Sequence, residues 1–381
     1  MNSVFACLIL LHSTSFVGQL TPLPVETPAA TSEIKVTEET SAKETSAKET
    51  SPTVLKSDPA VLKSDPIGNV LEDNSPGPVT TVTQCLLCEQ KGIIFFGNVE
   101  YLLLKADRPG LGYAIADSTN DLSPQGQISA ANMDTRSGIR STIGFINNDH
   151  TWFSNLTYTY FHTAGNSQVT SPNGGTVYGL LTAPSVFGGE FNSAAAASNL
   201  NYNVLDKNVG RLFPLGKKAE GRVFGGLRGA WIDQKMNAYY TNALGTTLVS
   251  NPMSFHGIGL HGGGRADWWF TDWLGIFGRA DAAMMVGDIS TSLHQTSDGG
   301  QTYQVAISSK DQHVIPVVGL ATGAQFNWRS IQFTVGYEVT QWINLIQTYD
   351  AVGFVGNPAK LAQKTGDLSL SGLFLQLGLQ Y

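Results

Sequence analysis

Between Ser330 and Thr340 the chain reads SIQFTVGYEVT, and its apolar residues fall on alternate positions. Ile331, Phe333, Val335, Tyr337 and Val339 share one parity, and Gln332, Thr334, Glu338 and Thr340 share the other. Successive side chains of a β-strand point to opposite faces, so this period of two predicts a strand with one apolar and one polar face. GIGLHGGGRADWWF sets Ile258, Leu260, Trp268 and Phe270 against His261, Arg265 and Asp267. WLGIFGRADAAMMVGD sets Leu274, Ile276, Ala280, Ala282, Met284 and Val286 against Arg279 and Asp281. About ten such segments are expected, near 92–106, 137–147, 151–162, 200–212, 219–235, 253–270, 272–288, 311–328, 330–345 and 366–381. The segment at 200–212 mixes its parity.

Most of these segments exceed the roughly 9 to 11 residues that a tilted strand needs to cross a bilayer. Their connections alternate in length. NNDH (147–150), PLGKKA (214–219), FTDW (270–273) and NWRS (327–330) are short, whereas 107–136, 163–199, 236–252, 289–310 and 346–365 read as long loops. An antiparallel meander with short turns at one end and long loops at the other is the layout of an outer-membrane barrel. An even strand number lets the first and last strands pair and close the edge. The expected fold is therefore all-β, a transmembrane antiparallel β-barrel of about ten strands, with eight or twelve as alternatives, over residues 92–381. Trp152, Trp268, Phe270, Trp328, Phe333 and Tyr381 lie near the short turns on apolar parity, with Tyr158, Tyr160 and Trp231 near the opposite end, as two interfacial girdles would. An arginine at Val335 should block membrane assembly, and one at Thr334 should be tolerated.

Composition agrees with this pattern. Only 14% of residues are charged, against about 25% in soluble domains, and glycine supplies 41 residues. The net charge of −7 and the lack of a basic cluster argue against a nucleic-acid partner. Residues 1–18 carry a short apolar run, Val4 to Leu11, then small residues suited to cleavage after Ser15, and read as an export signal peptide; a buried N-terminal strand is the alternative. Residues 19–91 are rich in Thr, Ser, Pro, Glu and Lys and include the duplications SAKETSAKET and VLKSDPAVLKSDP. Such a segment is expected to be a disordered tether, in the periplasm and able to reach the cell wall. Its Cys85 and Cys88 form a CxxC without the second ligand pair of a zinc site, and read as a local disulfide or idle thiols.

The chain closes on LSLSGLFLQLGLQY. Leu373, Leu375, Leu377, Leu379 and Tyr381 share one parity, as expected of a lipid-facing closing strand. The tail also resembles the C-terminal signal read by the outer-membrane barrel assembly machinery, with Tyr in place of the more usual Phe. GNVEYLLLKADRP, VFGGLRGAW, GLHGGGRADWWFTDWLGIFGRADAAMMVGD, GLATGAQFNW and FTVGYEVTQWIN together resemble the pore-forming outer-membrane family typified by a Legionella major outer-membrane protein. That resemblance covers 92–381 and implies a closed barrel in the outer membrane of a Gram-negative-type bacterium, with a pore-forming role.

The polar parity nominates Asn98, Glu100, Arg140, Arg222, Arg228, Arg265, Asp267, Arg279, Asp281 and Glu338 as lumen-facing residues. Asp267 and Asp281 are expected to partner Arg265 and Arg279 across adjacent strands. GIGLHG (257–262) has the form GxGxxG, but a strand follows it where a dinucleotide site needs a helix, so no cofactor is expected. His261 has wall placement and polar parity, yet no serine is spaced to act with it, which leaves a membrane-embedded hydrolase as the weakest reading. A ring of ten strands is narrow, but Gly319, Ala321, Gly323 and Gln325 would leave room inside. A small pore without enzymatic activity is the first expectation, and a non-conducting structural or adhesive barrel displaying its loops is the second.

Overall fold

The computed structural model describes residues 92–119, 124–182, 190–297, 302–351 and 361–380, all within one compact unit, Ser75–Tyr381. The segment expected to be a signal peptide, the 19–91 segment with its CxxC, and Tyr381 lie outside the described residues.

Among the described residues fourteen strands follow one another: β1 (Ile94–Asp107), β2 (Gly112–Asp117), β3 (Ile128–Ala130), β4 (Arg136–Ile146), β5 (Trp152–Thr170), β6 (Thr176–Gly179), β7 (Glu190–Phe191), β8 (Ser193–Pro214), β9 (Ala219–Asn242), β10 (Gly245–Trp269), β11 (Leu274–Ser297), β12 (Thr302–Trp328), β13 (Ile331–Ala351) and β14 (Leu361–Gln380). Ten of them close an antiparallel barrel in the order β1-β14-β13-β12-β11-β10-β9-β8-β5-β4. The seam is made by β1 and β14, in register from Phe96↔Gln380 to Asp107↔Ser369, so every backbone group along it finds a partner and no edge is left.

The alternation of the sequence is realised as an outer apolar belt. Val335, Tyr337, Ile258, Leu260, Met284, Leu320 and the tail residues Leu373, Leu375, Leu377 and Leu379 all point outward and are exposed. Trp152, Trp268, Phe270, Trp328 and Phe333 rim the belt at the short-turn end, and Tyr158, Tyr160 and Trp231 mark its other margin. Lys207 breaks the pattern on the outer face of β8, and its Nζ donates to Ser154 Oγ (2.9 Å).

The expected loops at 236–252 and 289–310 are largely strand. β9 and β10 run on to a two-residue turn at 243–244, and β11 and β12 extend to Ser297 and from Thr302. They escape a single-parity reading because the apolar parity inverts beyond the belt. On β9 the outward residues Val223, Leu227 and Trp231 are exposed apolar groups, after which the apolar set moves to the inward positions Ile232, Met236, Ala238 and Tyr240. On β10 the switch separates outward Ile258 and Leu260 from inward Phe255, Met253 and Val249; on β14 it separates outward Leu373 from inward Leu370 and Leu368. Where lipid ends, the outer wall meets water and the apolar side chains turn into the barrel. The mixed parity of 200–212 has the same origin, since Tyr202 and Val204 point inward and Leu205 and Val209 outward.

The segments between β1 and β4 and between β5 and β8 were also expected as loops. They contribute a second sheet, β3-β2-β6-β7. Its Tyr113, Ala114, Val177 and Phe191 pack against the inward faces of the long hairpins, at Ala194, Met236, Ala238, Tyr240 and Val249. Tyr240 Oη donates to the Tyr113 carbonyl (2.7 Å), and Ser198 Oγ donates to the Ala131 carbonyl (2.6 Å). The mouth of the barrel is thereby filled by its own inserted strands.

Candidate functional site in the barrel lumen

Every nominated lumen residue lies on an inward position, and they divide into linked clusters. Glu338 on β13 is 3% exposed and accepts from both terminal nitrogens of Arg140 (2.8 Å each) and from Arg279 Nη2 (3.0 Å). Arg140 Nη1 also donates to Glu100 (2.7 Å), and Arg140 Nε donates to Thr159 Oγ1 (3.1 Å). One carboxylate thus joins β4 to β11 across the β1–β14 seam.

In the second cluster Arg228 makes a two-pronged bond to Asp206, Nε–Oδ1 2.7 Å and Nη2–Oδ2 2.9 Å. Its Nη2 also stands 3.0 Å from His261 Nε2. An arginine can only donate, so Nε2 accepts; the imidazole proton then sits on Nδ1 and is donated to Asn208 Oδ1 (3.0 Å). Asp281 Oδ2 lies 3.4 Å from His261 Nε2 and 3.6 Å from Arg228 Nη2.

The third cluster corrects an expected pairing. The register sets Arg265 directly opposite Arg222 on one side and Arg279 on the other, a row of three like charges. Like charges directly opposite repel, so carboxylates must lie between them. Asp267 takes Arg265 Nε (2.9 Å) from its own strand and Arg222 Nη2 (3.2 Å) from β9, not Arg279 across β11. Arg279 looks to Glu338 two strands away, and its Nε is 3.8 Å from Asp281 on its own strand. Arg265 Nη2 donates to Gln325 Oε1 (2.7 Å), and its guanidinium lies 4.2 Å over the Phe277 ring.

A cavity of about 200 Å³ remains among these groups, bounded by Asn98, Arg140, Arg222, Arg228, His261 and Arg279. Asn98 Oδ1, Asn155 Oδ1 and Arg222 Nε are buried without a protein partner among the described residues, which fits a wetted chamber. The room expected over the small residues of β12 is taken: an added Cβ at Gly319 would meet the Asp281 carboxylate at 2.8 Å, and Gln325 is wholly buried.

Beyond the chamber, toward the long hairpins, the lumen is mainly apolar, with Thr163, Gln234 and Thr291 as buried polar groups in it. Leu102, Phe161, Tyr202, Ile232, Phe255, Met285, Ile315, Trp342 and Leu370 come from nine of the ten barrel strands and form one buried cluster. Met133, just before β4, completes the ring. The rings of Tyr202 and Phe255 lie 5.9 and 6.1 Å from that of Trp342. Just past Trp342 β13 carries a bulge, where Asn344 takes φ 58° and donates its N–H to Asp367 Oδ1 (2.8 Å). Sequence reasoning missed these inward aromatics and Asp206; the parity inversion is the signal that identifies them.

The family model described as Legionella pneumophila major outer membrane protein precursor matches residues 89–381. The chain belongs to that family. Membership accords with an outer-membrane location. A search of curated proteins found no match. Among solved structures, this family member is similar to the outer membrane protease OmpT from Escherichia coli: 10% identity, TM-score 0.41, covering 77% of this chain and 99% of that one. It is also similar to the translocator domain of autotransporter NalP from Neisseria meningitidis (10% identity, TM-score 0.32, 79% and 93% covered). A third likeness is to the attachment invasion locus protein Ail of Yersinia pestis (9% identity, TM-score 0.24, 77% and 100% covered).

Proposed function

We propose that the protein is a structural and display barrel of the outer membrane, closed to solutes in the conformation described. Its short turns face the periplasm and its paired hairpins stand outside the cell, with the 19–91 segment a periplasmic tether toward the cell wall. The observation that carries this reading is the contact between Trp342 and Tyr202, ring centroids 5.9 Å apart, from strands on opposite sides of the ring. A path for ions must pass that point, and the inserted sheet fills the mouth beyond it. His261 bonds to Arg228 and Asn208 and lies beside Asp281; among the described residues no hydroxyl or thiol is bonded to it, which favours a structural role over a hydrolytic one.

One observation favours a pore as the second reading. The chamber is polar, lined by five arginines and about 200 Å³ in volume, and would carry ions if the apolar layer withdrew. Planar-bilayer conductance of the full, refolded chain separates the two. Silence from a folded barrel supports the closed reading; discrete steps in the wild-type protein overturn it in favour of a pore.

A further inference from the structure

The outer wall over β9–β13 is not uniformly bulky. The register aligns Val223, Gly264, Ala280, Leu320 and Val339 in one row across five strands. The neighbouring row is Gly221, Ala266, Gly278, Thr322 and Tyr337. Small residues form the middle of both rows, and large ones stand at every end but that of Gly221. Phe213 and Leu215 lie over Gly221, where an added Cβ would meet them at 2.5 and 3.1 Å, and so raise one wall. Leu320, Tyr337 and Val339 raise the other. The result is an almost wholly apolar groove of about 710 Å³ on the lipid-facing side.

The groove runs toward the short turns, and the charge of those turns identifies an occupant. PLGKKA carries Lys217 and Lys218, FTDW carries Asp272 and NWRS carries Arg329: three cations and one carboxylate, a net of two positive charges on the three turns of this sector. Lys218 Nζ lies 3.3 Å from the Phe270 carbonyl, which places it at the rim. Phe270 is four residues from Ala266 on the groove floor, about 13 Å along an extended chain. Trp268, Trp273 and Trp328 are exposed at that same rim, where indoles mark headgroup level.

We propose that this groove seats an acyl chain of a phospholipid from the leaflet nearest the short turns, with its phosphate held by Lys217 and Lys218. The proposal rests on the membrane placement of the belt and is independent of whether the lumen conducts. Without a hydrophobic drive inside a bilayer, close packing over small residues is what retains a partner, and the lysines add the headgroup contact.

Native mass spectrometry of the full chain in mild detergent, with phosphatidylglycerol or phosphatidylcholine added, tests it. One phosphatidylglycerol should survive delipidation of the wild type. Gly278→Leu fills the floor without strain, since an added Cβ there meets nothing within 4 Å. Retention should then fall by about tenfold, the factor for about two methylenes losing their seat. Lys217→Gln with Lys218→Gln should abolish the preference for phosphatidylglycerol while leaving residual acyl binding. Heat-modifiable electrophoretic mobility confirms that each variant is folded. Equal retention by wild type and Gly278→Leu overturns the proposal. A wild-type dimer abolished by Gly278→Leu, with no lipid adduct, also overturns it and assigns the groove to a second copy.

Discussion

Trp342 on β13 meets Tyr202 on β8 edge to face, ring centroids 5.9 Å apart and planes at 85°, although four strands lie between theirs either way round the ring. Edge-to-face contact suits the ring quadrupoles, and both side chains are buried. Two side chains therefore span the full lumen. Truncating them tests the closed reading: Trp342→Ala with Tyr202→Ala should give discrete conductance steps in planar bilayers where the wild type is silent. The Trp342 change alone should cost about 3 to 5 kcal/mol in urea unfolding from vesicles.

Glu338 holds two arginines from different sides of the seam. Glu338→Gln leaves both guanidiniums short of a counter-charge in a buried setting, and should destabilise the barrel by about 3 to 5 kcal/mol. Adding Arg279→Met should recover part of that loss. A double variant no more stable than Glu338→Gln would mean that Arg279 finds its partner elsewhere.

The filled lumen revises one expectation from sequence. Val335 is 46% exposed on the belt, so Val335→Arg should cost about 2 to 4 kcal/mol and block assembly into membranes. Thr334 points inward as expected, but it is 3% exposed and its hydroxyl has no partner among the described residues. Thr334→Arg should overpack the interior by about 1 to 3 kcal/mol instead of being tolerated, and Thr334→Val should be close to neutral. Folding yields into vesicles would rank the three.

Tyr240 pins the inserted sheet through its bond to the Tyr113 carbonyl, which also accepts the Leu180 N–H (2.9 Å). With one acceptor bond remaining, Tyr240→Phe should cost about 1 kcal/mol. Amide exchange of β2 should quicken while that of β13 is unchanged.

Asp117, at the end of β2, accepts the Thr119 N–H (2.8 Å), the Gln125 N–H (2.7 Å) and the Thr119 hydroxyl (2.7 Å). These bonds, the Thr119 amide first, hold its carboxyl below the usual carboxylate range. A folded value below the unfolded one, near about 3.9, gives stability that is present above that pH and lost as pH falls through the folded value. Exchange at Thr119 and Gln125, corrected for the intrinsic rate, should therefore accelerate on acidification in the wild type. Asp117→Asn should show no such acid transition.

The sequence by itself determined the barrel wall. A period of two on β13 and β14, with apolar Val335 and Leu375 facing lipid and polar partners facing in, leaves one register that satisfies both solvents, because a one-residue slip would expose every charge to lipid. The inward direction of Arg140, Arg265 and Glu338 follows from the same rule. What occupies the lumen was decided only in three dimensions. Trp342 and Tyr202 are 140 residues apart, and their contact depends on ring closure and on the inversion of apolar parity where the wall leaves the bilayer. The arginine row, the sharing of Glu338 and the inserted sheet likewise depend on strand order and register, which periodicity along one strand does not encode.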